Sequence, residues 1–171
     1  MTVTDLVPLT TRAGIELAVR PATTADEALL EAFFEKVSEA DRRFRFLAAA
    51  EHVGHAQLVP LVSCDHFHSD NYLAFDRQTR ELVASGLLAC DGPLDTAEVA
   101  VSIRADYRGK GVGWAMLDLL AREADRRGVA KVIAIEDRDN HAAIELEREK
   151  GFVPEPVDGD PALVMLVRTL R

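Results

Sequence analysis

Apolar positions recur along the chain in two rhythms, and each change of rhythm marks an element. Residues 6–11 and 15–20 read as short strands joined by the turn Arg12-Ala13-Gly14, and Pro21 closes the second. Leu29, Leu30, Phe33, Phe34 and Val37 follow the spacing of one helical face, behind Thr24-Ala25-Asp26-Glu27, which fits a capping box. Ser38-Glu39-Ala40-Asp41 starts a second helix. It interleaves Arg42, Arg43 and Arg45 with Phe44 and Phe46, and its cations read as a solvated face or as a contact for an acidic partner. Residues 51–59 make a weaker helix that Pro60 should end or kink. Residues 72–76 and 82–89 read as hairpin partners around Arg77-Gln78-Thr79-Arg80, with Gly86 marking a bulge or a close approach. Residues 97–103 are the next strand. Met116, Leu119, Leu120 and Ala124 form the inner stripe of a long helix that starts near Trp114 and is capped by Gly128. Residues 131–135 suit a central strand, 140–150 a helix with Ala143, Ile144 and Leu146 inside, and 162–167 a last strand. No repeat, low-complexity tract or linker interrupts the series. It predicts one α+β domain over residues 1–171, with its core at about 15–170.

Between the strand at 97–103 and the long helix lies Arg108-Gly109-Lys110-Gly111-Val112-Gly113. Strand, glycine-rich turn and helix together leave unpaired backbone N–H groups at the positive end of a helix dipole, which is a site for an anion. Glycines at alternate positions remove Cβ atoms that would hold a phosphate away. Arg104, Arg108 and Lys110 supply charge. The stretch predicts a pyrophosphate cradle. It is not a Walker loop, because Gly111 follows Lys110 where Ser or Thr is required. It is not a Rossmann fingerprint either, because Trp114 and Met116 stand where a third glycine would fall, and the loop lies past the middle of the chain.

Charge and composition narrow the partners. A net charge of −9 argues against nucleic acid and requires any anion site to be locally basic. No run of about 18 apolar residues predicts a membrane span. Met1-Thr2-Val3-Thr4-Asp5 lacks the basic-then-apolar order of a signal peptide, so a cytoplasmic location is expected. Cys64 and Cys90 read as reduced thiols, and His66 and His68 have no third ligand near them in sequence, so no metal is expected.

The loop fits the pattern Q/R-x-x-G-x-G/A and resembles the pyrophosphate loop of the GNAT superfamily of acyl-CoA N-acyltransferases. Asn140, the helix to Lys150 and Gly151-Phe152 resemble that family's next motif, and Arg20-Pro21 with the Asp26-Glu27 helix start resembles its first strand and helix. The resemblance runs over nearly the whole chain from about residue 15. It implies a mixed, mostly antiparallel sheet flanked by helices and splayed at the acyl-CoA-binding strand, with acetyl-CoA as co-substrate. It assigns the pyrophosphate to Arg108, Gly109, Lys110, Gly111, Val112, Gly113 and Trp114. The pantetheine amides and the oxyanion fall to the strand carrying Val101 and Ile103. Asn140 falls to the pantetheine or the coenzyme tail, with a helix N-cap as its other role.

A narrower resemblance, to the GNAT domain of Pat-type bacterial protein lysine acetyltransferases, lies in Arg20-Pro21, Ser38-Glu39-Ala40-Asp41-Arg42, Arg45-Phe46 and Ala97-Glu98-Val99-Ala100-Val101. It implies that Glu98 is the general base. Strand alternation sets Glu98 with Ala100 and Ser102, and partial burial there would raise its pKa. One position departs from the family. Many members carry a tyrosine seven residues after the asparagine as acid for the departing thiolate, and this chain has Glu147, with Tyr72 and Tyr107 elsewhere. The expected activity is transfer of an acetyl group to a primary amine, a protein lysine in the narrower reading. The alternatives are a small-molecule amine acetyltransferase and a non-catalytic acyl-CoA-binding sensor. Acceptor, acyl chain length and oligomeric state stay open.

Overall fold

The two N-terminal runs do form a hairpin, β1 (Val7–Thr10) with β2 (Glu16–Pro21), in the computed structural model, which describes residues 6–46 and 52–171. The hairpin is one edge of an eight-stranded sheet of order β1-β2-β3-β4-β5-β6-β8-β7. The other strands are β3 (Ser69–Asp76), β4 (Leu82–Cys90), β5 (Thr96–Ile103), β6 (Lys131–Asp137), β7 (Val153–Pro156) and β8 (Leu163–Thr169). Every neighbouring pair is antiparallel except β5 and β6, which are parallel and therefore need a crossover. That crossover is α4 (Val112–Arg126), the long helix anticipated from its stripe.

α4 and α5 (His141–Glu149) pack with the larger apolar cluster of the sheet, where Met116 and Leu120 are fully buried. Each such side chain contributes about 1.5–3 kcal/mol by leaving water. Gly86 of β4 is a close approach: a Cβ there would stand 2.9 Å from Met116 Cε. The β3–β4 register shifts where Ala74 pairs with Ala84 and Phe75 with Leu82, so the extra residue is Val83 of β4 and not Gly86. A second cluster joins α1 (Glu27–Glu35) and α3 (His55–Val62) to Leu73 and Leu82. α2 (Glu39–Phe46) lies against β5.

Three local readings shift. The N-terminal carboxylate cap is Asp26, whose Oδ2 accepts the Thr23 N–H at 2.7 Å, one residue earlier than read; Arg20 locks the same carboxylate with two bonds of 2.8 Å. Pro60 sits inside α3, which ends two residues later at Val62, and buried Leu58, Leu61 and Val62 hold the helix despite the missing N–H. The expected start of that helix at Glu51 lies outside the described residues. β7 was not anticipated, because prolines at positions 154 and 156 hide a strand; as an edge strand it tolerates them.

β5 and β6 pair only briefly. Thr96, Ala97 and Glu98 face Lys131, Val132 and Ile133, and there the ladder stops. β4 keeps its register with β5 from Ala97 to Ile103. The sheet therefore splays beyond Glu98, as the expected architecture requires.

Candidate active site

The splay opens a cleft of about 580 Å³, with β5 on one wall and β6 and α5 on the other. Past Glu98, the edge of β5 that faces the gap has no partner strand among the described residues, so its N–H and C=O groups are available to an extended ligand. Val101 and Ile103 line this stretch.

The glycine loop closes one end. Gly109 and Gly111 have φ of 73° and 80°, the left-handed region that other residues enter at a cost of about 1–2 kcal/mol. Gly111 is also the N-cap of α4, so the first N–H groups of that helix open on the cleft. Gly113 lines the cleft and has a packing duty as well. A Cβ there would meet Leu146 Cδ2 at 2.9 Å and Ile103 Cδ1 at 3.0 Å, so its bareness lets α4 pack against α5 and β5.

Of the three cations expected around the loop, one lines the cleft. Arg108 lines the cleft, with its Nε 3.4 Å from Asp41 of α2. Lys110 does not line it and lies over the Tyr107 ring at 5.3 Å. Arg104 is buried and tied to Asp106 and Glu81, away from the cleft. Arg12, from the β1–β2 turn, is a cation the loop sequence does not contain. It lines the cleft, and its guanidinium sits 4.1 Å from the centre of the Trp114 ring, a ring that Lys150 approaches at 3.6 Å. The only signal for Arg12 is a lone cation in a hairpin turn, and its nearness to the loop is a long-range fact.

The other end gathers charged side chains. Glu98, the last β5 residue paired with β6, lines the cleft and is exposed, not partly buried as expected, because this end of β5 opens to solvent. Arg45 of α2 lines the same cleft. Burial pulls the Arg45 guanidinium down, while Glu98 and Glu136 act in the opposite sense. The three cations of α2 thus diverge and make no common face for an acidic partner. Arg42 donates to the carbonyls of Phe34 and Val37 at 3.1 and 2.6 Å, and Arg43 pairs with Glu39 at 3.6 Å.

Asn140 takes the N-cap role and also faces the cleft. It caps α5, accepting the Ala143 N–H at 3.4 Å, and it lines the cleft, where its Nδ2 donates to Glu136 at 3.3 Å. Glu147 also lines the cleft although it is only 4% exposed, and its Oε2 has no hydrogen-bond partner among the described residues. Burial first, and then Glu136, push its carboxyl far above the ordinary range. The tyrosines are engaged elsewhere: the Tyr107 hydroxyl donates to Asp76 at 2.6 Å, and the Tyr72 hydroxyl bonds Glu123 and Arg127.

A splayed parallel pair, a glycine loop opening a helix and an acidic far end match the architecture anticipated from the loop motif. Residues 15–152 match the Acetyltransferase (GNAT) family. The chain belongs to this family. It is an acetyl-CoA-dependent N-acetyltransferase with acetyl-CoA as co-substrate. An acetyltransferase of Pseudomonas aeruginosa, PA5475, is 29% identical over 157 residues, covering 89% of this chain and 83% of the relative. The GNAT domain of S. lividans PAT superimposes with a TM-score of 0.89 at 23% identity, over 99% of both chains. The GNAT member yncA of Salmonella typhimurium, solved with its cofactor acetyl-CoA, aligns with a TM-score of 0.70 at 19% identity, over 91% of this chain and 94% of that one. These two likenesses are of fold.

Proposed function

We propose that this enzyme acetylates a lysine side chain of another protein, with Glu98 as the general base. The observation that carries the reading is the position of Glu98: a carboxylate open to the cleft, at the residue where β5 and β6 part. Coenzyme A anchored at Arg108–Gly113 would run its pantetheine arm down the free edge of β5. Five residues separate Ile103 from Glu98, about 17 Å of strand, so the thioester end is delivered toward Glu98. A lysine amine of pKa about 10.4 is almost wholly protonated at neutral pH, so its proton must be taken, directly or through one water. Attack on the thioester carbon builds an oxyanion, for which a backbone N–H of the Val101–Ile103 stretch is the donor in this reading. Arg108, Arg12 and the first turn of α4 hold the pyrophosphate, and Asn140 steadies the arm from the opposite wall.

Two features favour a protein acceptor. The fold likeness to the S. lividans PAT domain extends over the whole chain. The sequence of α2 and β5 resembles the Pat-type domains, and those two elements flank Glu98. A small amino-bearing acid is the second reading, and Arg45 at the Glu98 end of the cleft is the observation for it, as a clamp for a carboxylate.

The test is Glu98→Gln, which keeps shape and removes the base. Acetyl-CoA affinity should stay level, and turnover at neutral pH should fall about 10²–10⁴-fold. The loss should shrink as pH rises, because more of the amine is already free. Mass spectrometry of a purified acyl-CoA synthetase incubated with enzyme and acetyl-CoA should find acetylation at a specific lysine. Wild-type turnover by the variant removes Glu98 from the mechanism. Efficient acetylation of free amino acids without protein labelling selects the small acceptor, and no turnover at all leaves a sensor.

A further inference from the structure

Glu147 sits on α5 and Glu136 near the end of β6, two elements of the same cleft wall. The Glu147 side chain is more than nine-tenths buried, yet it reaches the cleft, and its Oε2 meets no donor among the described residues. Glu136 accepts one hydrogen bond, from Asn140 Nδ2 at 3.3 Å. Ionised carboxylates only accept, so two of them side by side, one sealed from water, leave the buried oxygen unsatisfied and the charges opposed. A single proton between them removes both problems. Arg45 of α2, in the same cleft, acts on Glu98 and Glu136, which leaves Glu147 the natural holder of that proton. Burial and the Glu136 charge together keep Glu147 neutral at physiological pH.

We propose that the Glu136–Glu147 pair stores one proton in the cleft wall and that Glu147 delivers it to the coenzyme A sulfur as the thioester breaks. The inference rests on the acetyl-transfer reading of the cleft and adds the acid that the sequence lacks. The amine nitrogen bonds to the acetyl carbon and Glu98 takes its proton. The carbon–sulfur bond then breaks with its electron pair going to sulfur, and the Glu147 O–H protonates that sulfur. The products are the N-acetyl amine and coenzyme A thiol. One proton has entered at Glu98 and one has left from Glu147, and solvent carries it back once the products leave. A donor here also avoids a thiolate forming beside Glu98 and Glu136.

Hydroxylamine separates this step from the choice of acceptor, because it is nucleophilic without a base at neutral pH. Thiol release from acetyl-CoA in hydroxylamine is followed for wild type, Glu147→Gln and Glu147→Asp. Glu147→Gln keeps an amide donor for Glu136 but has no proton to give. Its kcat should fall about 10²-fold, with acetyl-CoA affinity by calorimetry within about twofold of wild type. Glu147→Asp, which retains a carboxyl, should recover much of the rate. Infrared spectra at pH 7 should show a protonated carboxyl band that Glu147→Gln removes. A folded Glu147→Gln with wild-type thiol release, or no such band in the wild type, overturns the proposal. Failure to label any lysine while these hydroxylamine results hold defeats the protein-acceptor reading and leaves the acid standing.

Discussion

A proton held by Glu147 in the folded state must be released on unfolding, and that release is measurable without any substrate. In the unfolded chain a glutamate ionises near pH 4.3, so between pH 6 and pH 8 it carries no proton. In the fold, burial and Glu136 keep Glu147 protonated through that range. A carboxyl whose folded pKa lies above its unfolded one makes its full proton-linked contribution below the unfolded value, and this erodes as pH climbs toward the folded value. One proton lost per unfolding event lowers stability by about 1.4 kcal/mol per pH unit, or about 2.7 kcal/mol from pH 6 to pH 8. Glu147→Gln is neutral in both states. The groups facing the pair, Arg45, Glu98 and Glu136, remain in the variant, so their slopes largely cancel in the comparison. Urea denaturation of both proteins at pH 6, 7 and 8 should show the variant gaining on wild type by about 1.4 kcal/mol per unit, whatever the offset from packing. Parallel stability curves across the three pH values would refute the reasoning.

Other perturbations test the rest of the cleft and its supports. Gly111→Asp adds a strained backbone, a Cβ 3.2 Å from Arg12 N and a like charge at the anion end, and calorimetry should find acetyl-CoA binding abolished. Arg12→Gln should weaken acetyl-CoA by about tenfold or more, the usual effect of a lost charged hydrogen bond of about 1.5–3 kcal/mol, and should flatten the salt dependence of binding. Arg127→Met takes from buried Asp70 its permanently charged partner at 2.5 Å and leaves it His66, and should cost about 1.5–3 kcal/mol in denaturant titrations. The hydrogen bonds from Arg20 hold the Asp26 carboxyl below its ordinary value, so the stability they supply is present above about pH 4 and is lost as pH falls through the folded value. Asp26→Asn should accordingly shallow the acid limb of the stability profile.

The strands and helices were legible where the pattern was local. The Met116–Leu119–Leu120–Ala124 stripe marks α4, and the glycines with Arg108 mark its anion-facing start. The cations around the loop were less legible, because adjacency in sequence says nothing about direction. Arg104 finds Asp106 and Glu81, and Lys110 finds the Tyr107 ring, while Arg12 arrives from a turn about a hundred residues earlier. Glu147 was recognised as the wrong residue for a phenol's place. What burial and a second carboxylate do to it depends on β6 lying beside α5, which no spacing within the helix reveals. β7 was hidden for a simpler reason: its prolines break the propensity signal, and edge placement removes the penalty.

Trp114 is the only tryptophan in the chain, and it stands in the cleft wall with Arg12 and Lys150 against its indole. Cations on the ring are electrostatic neighbours that an incoming polyphosphate competes for. The protein therefore carries a single indole, separately excitable from Tyr72 and Tyr107, at the end of the cleft proposed for the coenzyme pyrophosphate. Emission from one residue reports occupancy without a label, and each step of a titration can be read in the same cuvette as the chemistry.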